Sequence, residues 1–405
     1  MDISIICESI DIDDSSGSKA NVGLIKNLQA IGYNITVLHY TRKPIQLNNV
    51  RCIEIKERKR FYYLLSRTQR FIQRYLKIKL SDFLENIFGF SFTFFNDTKS
   101  ISKAIFKHYN QEKLIITLSK GASFRPHYAM LNLPNLHNIW LAYVHDPYPF
   151  HYYPRPYNWV EPGYRIKESF FRKVSEKAKY SAFPSLMLKE WMGSYFSNFL
   201  KTGIVIPHQN LEIDNFIESK APSYLDMSKF NLLHAGNLMM PRPPHGLIEG
   251  YRLFLLKHSE AVDNSKLLFL GNADYYKDYL LNKIDENVFW SKGNVPFSEV
   301  DYVQKNVSVN IILESKSEIS PFLPGKFPHC ISANKPILLL GPYYSECKRL
   351  LGEDYRFKSE VDDVELISEW IGELYMNWKL NKNQLLNRSD LEKYTGTDFL
   401  KKQLV

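Results

Sequence analysis

The sequence predicts an α/β protein made of two facing Rossmann-like domains, each a parallel sheet covered by helices. Three observations carry this. Short apolar strands alternate with segments of helical periodicity, the alternation breaks at a polar run after residue 208 and then restarts, and the two series are similar in size. At roughly 100–200 residues per domain, 405 residues suit two domains.

In the first series Asp2–Cys7 reads as a buried strand, followed by a polar loop from Glu8 to Lys19 that contains Ser15-Ser16-Gly17-Ser18. Ala20–Ala30 repeats apolar residues at helical spacing, Gly32 ends that helix, and Asn34–His39 is the next strand. A strand, a helix and a strand in that order build parallel sheets. Phe61, Leu64, Leu65, Phe71, Ile72, Tyr75 and Leu76 recur at near-helical intervals in residues 56–80. Further strands are expected at Leu114–Leu118 and Ile139–Val144, the second running into His145-Asp146-Pro147. Residues 147–164 are rich in Pro and Tyr and read as an ordered aromatic loop, either a platform for a sugar or a packed lid. Helices at 166–179 and 185–199 and a short strand at Ile204–Pro207 close the series.

The polar run Gln209–Ser228 reads as a linker. The second series has strands at Asn231–His234, Lys266–Leu270, Val288–Trp290, Val307–Leu313 and Pro336–Leu340, with helices at 245–257, 275–284, 298–305 and 326–333. The expected domains are residues 1–205 and 206–384, with a terminal helix of about 385–405 packing back on the first.

Composition narrows the class. Four scattered cysteines without a CxxC fit neither a disulfide framework nor a zinc ribbon, and point to a reducing, cytoplasmic setting. The start MDISIICESI, with its acidic second residue and no basic start, does not read as a signal peptide, and no apolar run nears the roughly 18 residues of a spanning helix. Nine basic residues lie between Lys56 and Lys79 against Glu57 alone, while the rest of the chain is nearly neutral. A nucleic-acid binder spreads its charge over a whole face. A local basic, aromatic patch instead suits an anionic membrane surface, with RNA as the rival partner and an ordinary packed helix as the plain reading.

Three loops of the second series can hold phosphate. In HAGNLMMPRPPHGLIEGY a strand ends at Gly236, the loop carries Arg242, and a helix begins near His245. Ligands of open α/β sheets sit at the carboxyl ends of strands, where helix N-termini and a guanidinium fork meet anions. In the second loop, Ser320 to His329, Lys326 stands at a helix start. Charge accumulates on a leaving diphosphate, and two cations would neutralise it without a metal. The third, Gly293–Phe297, offers the backbone around Val295 and Pro296 to a base.

These segments resemble the C-terminal domain of GT-B glycosyltransferases, in particular the large retaining group-1 (family 4-like) enzymes. That family's Gly-x-Leu, basic residue and Leu-Ile-x-Ala/Gly-Phe/Tyr correspond to Gly236-Asn237-Leu238, Arg242 and Leu247-Ile248-Glu249-Gly250-Tyr251. Its Pro-x-Lys corresponds to Pro324-Gly325-Lys326, whereas its Glu-x7-Glu pair falls on Pro321 and His329, neither of them acidic. The resemblance implies metal-independent transfer with retention, no cofactor, and a UDP- or GDP-sugar as donor. It implies donor contacts from Gly236, Asn237, Arg242, Val295, Pro296, Ser320, Pro321, Phe322, Leu323, Gly325, Lys326 and His329. His145 and Glu318 would flank the anomeric centre as the catalytic pair, and Ser16, Gly17 and Asp146 would meet a glycan or lipid-linked acceptor. The setting is polysaccharide or cell-surface glycan synthesis, in the cytoplasm or peripheral on the inner face of the membrane.

Two readings compete with transfer: a sugar-nucleotide 2-epimerase on the same fold, which needs carboxylates to move a proton, and a non-catalytic nucleotide-sugar scaffold, which the missing acidic pair would suit. Asp11-x-Asp13 resembles a metal-binding pair but follows the first strand, too early for that role, and reads as surface loop. A metal on His145, Asp146 and His151 is disfavoured by the intervening prolines.

Overall fold

The computed structural model describes residues 1–41, 43–77, 80–211 and 221–404. The chain divides into two compact units. One comprises residues 1–153, 157–209 and 397–405, the other residues 154–156 and 210–396. Of the linker expected at Gln209–Ser228, residues 212–220 lie outside the described residues, as does Lys79 of the basic stretch.

The first unit is built on seven strands: β1 (Asp2–Cys7), β2 (Asn34–His39), β3 (Arg51–Glu54), β4 (Leu114–Leu118), β5 (Trp140–Tyr143), β6 (Tyr180–Phe183) and β7 (Gly203–Val205). They pair in the order β3-β2-β1-β4-β5-β6-β7, and every pairing is parallel. β1 is buried from Ile3 to Cys7, as expected of an apolar run covered on both faces. β3 and β6 went unrecognised in the sequence. β3 (RCIE) is an edge strand with no fully buried residue, and β6 (YSAF) is short, so neither shows a long apolar run.

The first helix is longer than expected. It runs Ser16–Ala30, with Ser15 as its N-cap accepting from Ser18 N–H at 3.1 Å. Ser16 and Gly17 therefore occupy a capped first turn, not a free loop. The terminal helix Thr397–Gln403 packs against this helix.

The second unit repeats the plan with β8 (Phe230–Ala235), β9 (Ser265–Leu270), β10 (Val288–Trp290), β11 (Val309–Leu313), β12 (Ile319–Ser320), β13 (Ile337–Leu340), β14 (Tyr344–Ser345) and β15 (Lys358–Ser359). The main sheet has the order β10-β9-β8-β11-β13-β15, again all parallel. β12 and β14 form a separate two-stranded pair that sets Ser320 beside Ser345. In both sheets the strand order reverses beside the first strand of the unit, between β1 and β4 and between β8 and β11. In a doubly wound sheet such a switch point opens a crevice at the carboxyl ends of the strands.

Candidate functional site

In the second unit the switch point is lined from three strand ends. β8 ends in His234-Ala235-Gly236, β11 is followed by Glu314, and β13 by Gly341. Gly236 has φ +148°, and a Cβ there would stand 3.1 Å from Lys326 Nζ. This position thus needs glycine both for its backbone and for the approach of the lysine. Lys326 Nζ lies 3.3 Å from His234 Nδ1. His234 is fully buried, and burial followed by the nearby Lys326 and Arg242 keeps its ring neutral, well below the usual histidine range.

Arg242 sits in the loop between β8 and the helix His245–Lys257, with Nη1 3.5 Å from the Asn237 carbonyl and Nε buried without a partner. Among the described residues neither Arg242 nor Lys326 forms an ion pair. The two neighbouring cations oppose each other, and the buried carboxyl of Glu314 interacts with both from beyond ion-pair distance. Burial, and after it Arg242, pulls the Lys326 pKa from 10.5 down to about 7. Two basic groups held together at a strand end in this way are suited to an anion.

Glu314 was not recognised in the sequence. It is buried between Ser320 and Ser345, whose hydroxyls both donate to it, at 2.7 Å for Ser320. A Cβ at Gly341 would lie 2.3 Å from its Oε2, so glycine makes room for the carboxyl. Burial raises its pKa from 4.5 to about 6. Glu318, four residues on, is exposed. The signal for Glu314 was there: a carboxylate directly after the apolar strand VNIIL, at the carboxyl end where ligands bind. Counting back from Pro336 at the family spacing passes over it.

The remaining donor-side residues are placed as follows. Asn237 is exposed, and its Oδ1 accepts from Asn272 N–H at 3.0 Å. Val295 is half-buried and Pro296 caps the helix Phe297–Asn306. Pro321 and Leu323 are buried, Phe322 and Gly325 half-buried. His329 is buried, with Nδ1 2.9 Å from Asn210 Oδ1 and its ring edge-on to Phe297.

The first unit has its own cluster at its switch point. His145 follows β5 and Ser119 follows β4; His145 N–H donates to Ser119 Oγ at 3.1 Å, and the same Oγ lies 3.0 Å from His145 Nδ1. In the tautomer that accepts from Ser119 at Nδ1, the proton sits on Nε2. The His208 ring stacks on His145 at 5.5 Å. Burial holds both rings neutral, with His208 lowered to about 4 and His145 well below its usual value. Half-buried Asp146 has its pKa raised to about 6 by burial. Gly17 lies against Lys120, the neighbour of Ser119, so Ser16 and Gly17 belong to the same end of the sheet. Lys120 pairs with Asp14, and Lys43 with Asp11, so these two acids are engaged by lysines. The aromatic loop is clamped: Tyr148 is core, Trp191 Nε1 donates to the Tyr152 carbonyl, and Lys167 pairs with Glu161 at 2.6 Å. Among the described residues no group of three or more His, Cys, Asp and Glu side chains is arranged to hold a metal ion.

Two doubly wound parallel units of this kind make up the GT-B fold. Solved structures of similar fold include sucrose-phosphate synthase from Thermosynechococcus elongatus, with TM-score 0.64 at 12% identity over 100% of this chain and 98% of that one. An α,α-trehalose-phosphate synthase (UDP-forming) from Burkholderia xenovorans in complex with glucose-6-phosphate gives TM-score 0.61 at 10% identity, over 99% and 98%. Anabaena HepE in complex with UDP and glucose gives 0.55 at 9% identity, over 100% and 95%. No family model matches the sequence. No curated protein matches it either.

Proposed function

We propose that the protein is a glycosyltransferase that moves a sugar from a nucleoside diphosphate donor to a glycan or lipid-linked acceptor, with retention and without a metal, in the assembly of a polysaccharide or cell-surface glycan. The observation that carries this is the Arg242–Lys326 pair, two cations in no ion pair among the described residues at the switch point of the second sheet. A diphosphate brings the charge they lack, and a leaving diphosphate gains more of it as the sugar departs. UDP complexes among proteins of similar fold agree with a UDP-sugar donor.

In this reading the loop around Ser320–Leu323 lies by the sugar, and Glu314 holds that loop in place through Ser320. His145 offers a neutral Nε2–H to an uncharged sugar hydroxyl, and Asp146 accepts from the acceptor alcohol. The epimerase alternative needs a carboxylate free to take a proton, whereas both oxygens of Glu314 are engaged by serine hydroxyls. Calorimetric titration with UDP and GDP tests the donor assignment. The wild type binds one of them, and Arg242→Ala/Lys326→Ala does not. Equal affinity in the two proteins would sink it.

A further inference from the structure

The helix Phe61–Leu76 turns its inner face, with Ser66 and Gln69 buried and Tyr62 against Phe95, to the helix Phe92–His108. Its outer face carries Phe61, Leu64, Phe71 and Tyr75, at intervals of three, seven and four residues, which align along one side of a helix. All four are 60–67% exposed. Arg60, Arg67, Arg70, Arg74 and Lys77, all exposed, run beside this stripe. The next helix, Ser81–Phe88, is joined to the first by a hydrogen bond from Gln73 to Ser81 and held from behind by the Glu85–Lys167 ion pair. It adds exposed Phe83, Ile87 and Phe88. Among the described residues of these two helices, Asp82 and Glu85 are the acids, and Glu85 is paired.

We propose that the two helices form one docking face for an anionic lipid bilayer, lying in the plane of the headgroups with the aromatic and aliphatic stripe buried among the acyl chains. This deepens the acceptor side of the proposed function, but it stands on lipid binding alone, whereas the donor assignment stands on nucleotide binding. Charge selects the occupant. A second copy of the chain on a two-fold axis would set the arginine row against its own mate, like charge on like. A nucleic acid would satisfy the arginines and leave seven large apolar side chains in water. An anionic bilayer takes both, since interfacial helices bind through apolar burial plus attraction to acidic headgroups.

Sedimentation with vesicles of equal parts phosphatidylcholine and phosphatidylglycerol, at low and high salt, tests this. The wild type co-sediments at low salt and keeps part of its binding at high salt, because apolar burial is not screened. Phe71→Ser/Tyr75→Ser lowers the partition coefficient roughly tenfold and removes the salt-resistant part. Arg67→Gln/Arg70→Gln/Arg74→Gln lowers low-salt binding roughly tenfold or more. Unchanged melting temperatures in both variants show that the fold is kept. Independently of these variants, Phe71→Trp becomes quenched by brominated acyl chains on vesicle binding. No quenching, or a stripe variant that binds like the wild type, overturns the proposal. So does a wild type that dimerises without lipid through these same residues, or one that binds homopolymeric RNA in preference to vesicles.

Discussion

At the carboxyl end of the second sheet, Arg242 and Lys326 are cations in no ion pair among the described residues; at the carboxyl end of the first, His145 and His208 are neutral rings beside a carboxyl poised near pH 6. The two units share strand order and switch point, so topology does not make this difference. The residues that follow the strands do. Unpaired cations cost folding free energy and persist where a ligand supplies the opposite charge. Neutral donors and a near-neutral carboxyl suit uncharged hydroxyls, which an ion would bind no better. In the proposed function the second unit supplies charge for a diphosphate and the first supplies neutral groups for sugars.

The largest expected effect breaks the charged half. Hydrogen bonds to charged groups are worth about 1.5–3 kcal/mol each. Removing both cations in Arg242→Ala/Lys326→Ala should weaken nucleoside diphosphate binding at least about a hundredfold, read by calorimetry. The mirror experiment is His145→Ala. Under the proposed function, loss of this ring should lower turnover by about a hundredfold, while donor affinity stays within about twofold of wild type. A parallel loss of donor affinity would show that the two halves do not divide the work as their electrostatics suggest.

The contrast was only partly legible in the sequence. Apolar strands followed by turn residues show the sheets, and Arg242 and Lys326 stand out because both fall in strand–helix loops of one α/β series. Glu314, Ser119 and His208 were not, for a physical reason. Each matters through a neighbour distant in the chain: Glu314 through Ser345, Ser119 and His208 through His145. Only the parallel pairing of strands brings those neighbours together. The Ser15–Ser18 turn was misread because capping serines and loop serines look alike until the first hydrogen bond of the helix is seen.

A smaller effect separates the support of the site from its charge. Glu314 has a folded pKa near 6 against an ordinary 4.5. Between those values the unfolded chain has lost the proton and the folded chain has kept it. Stability therefore falls as pH rises through 4.5–6, by about 2 kcal/mol. Glu314→Gln cannot ionise and should lack that fall, so denaturant melts at the two ends of the window should converge for wild type and variant by this amount. The same pH slope in both proteins would place the proton elsewhere.

The smallest effect is the most diagnostic. Lys326 titrates near pH 7 in the free protein, because burial and Arg242 disfavour its charge. A diphosphate beside it restores the ammonium, so at pH 8 binding must take up close to one proton. Affinity should accordingly fall as pH climbs above about 7, by at most about tenfold per unit, until the ordinary lysine range is reached. Titrations at pH 8 in two buffers of different ionisation enthalpy count that proton, and the nucleotide phosphates are already ionised there. Lys326→Met should bind more weakly and take up none. Arg242→Ala should also take up less, since removing the opposing cation lets Lys326 hold its proton before the ligand arrives. His145→Ala should leave the count unchanged, because its ring belongs to the neutral half. Uptake that survives in Lys326→Met would move the phosphate away from this lysine and with it the charged character of the second unit.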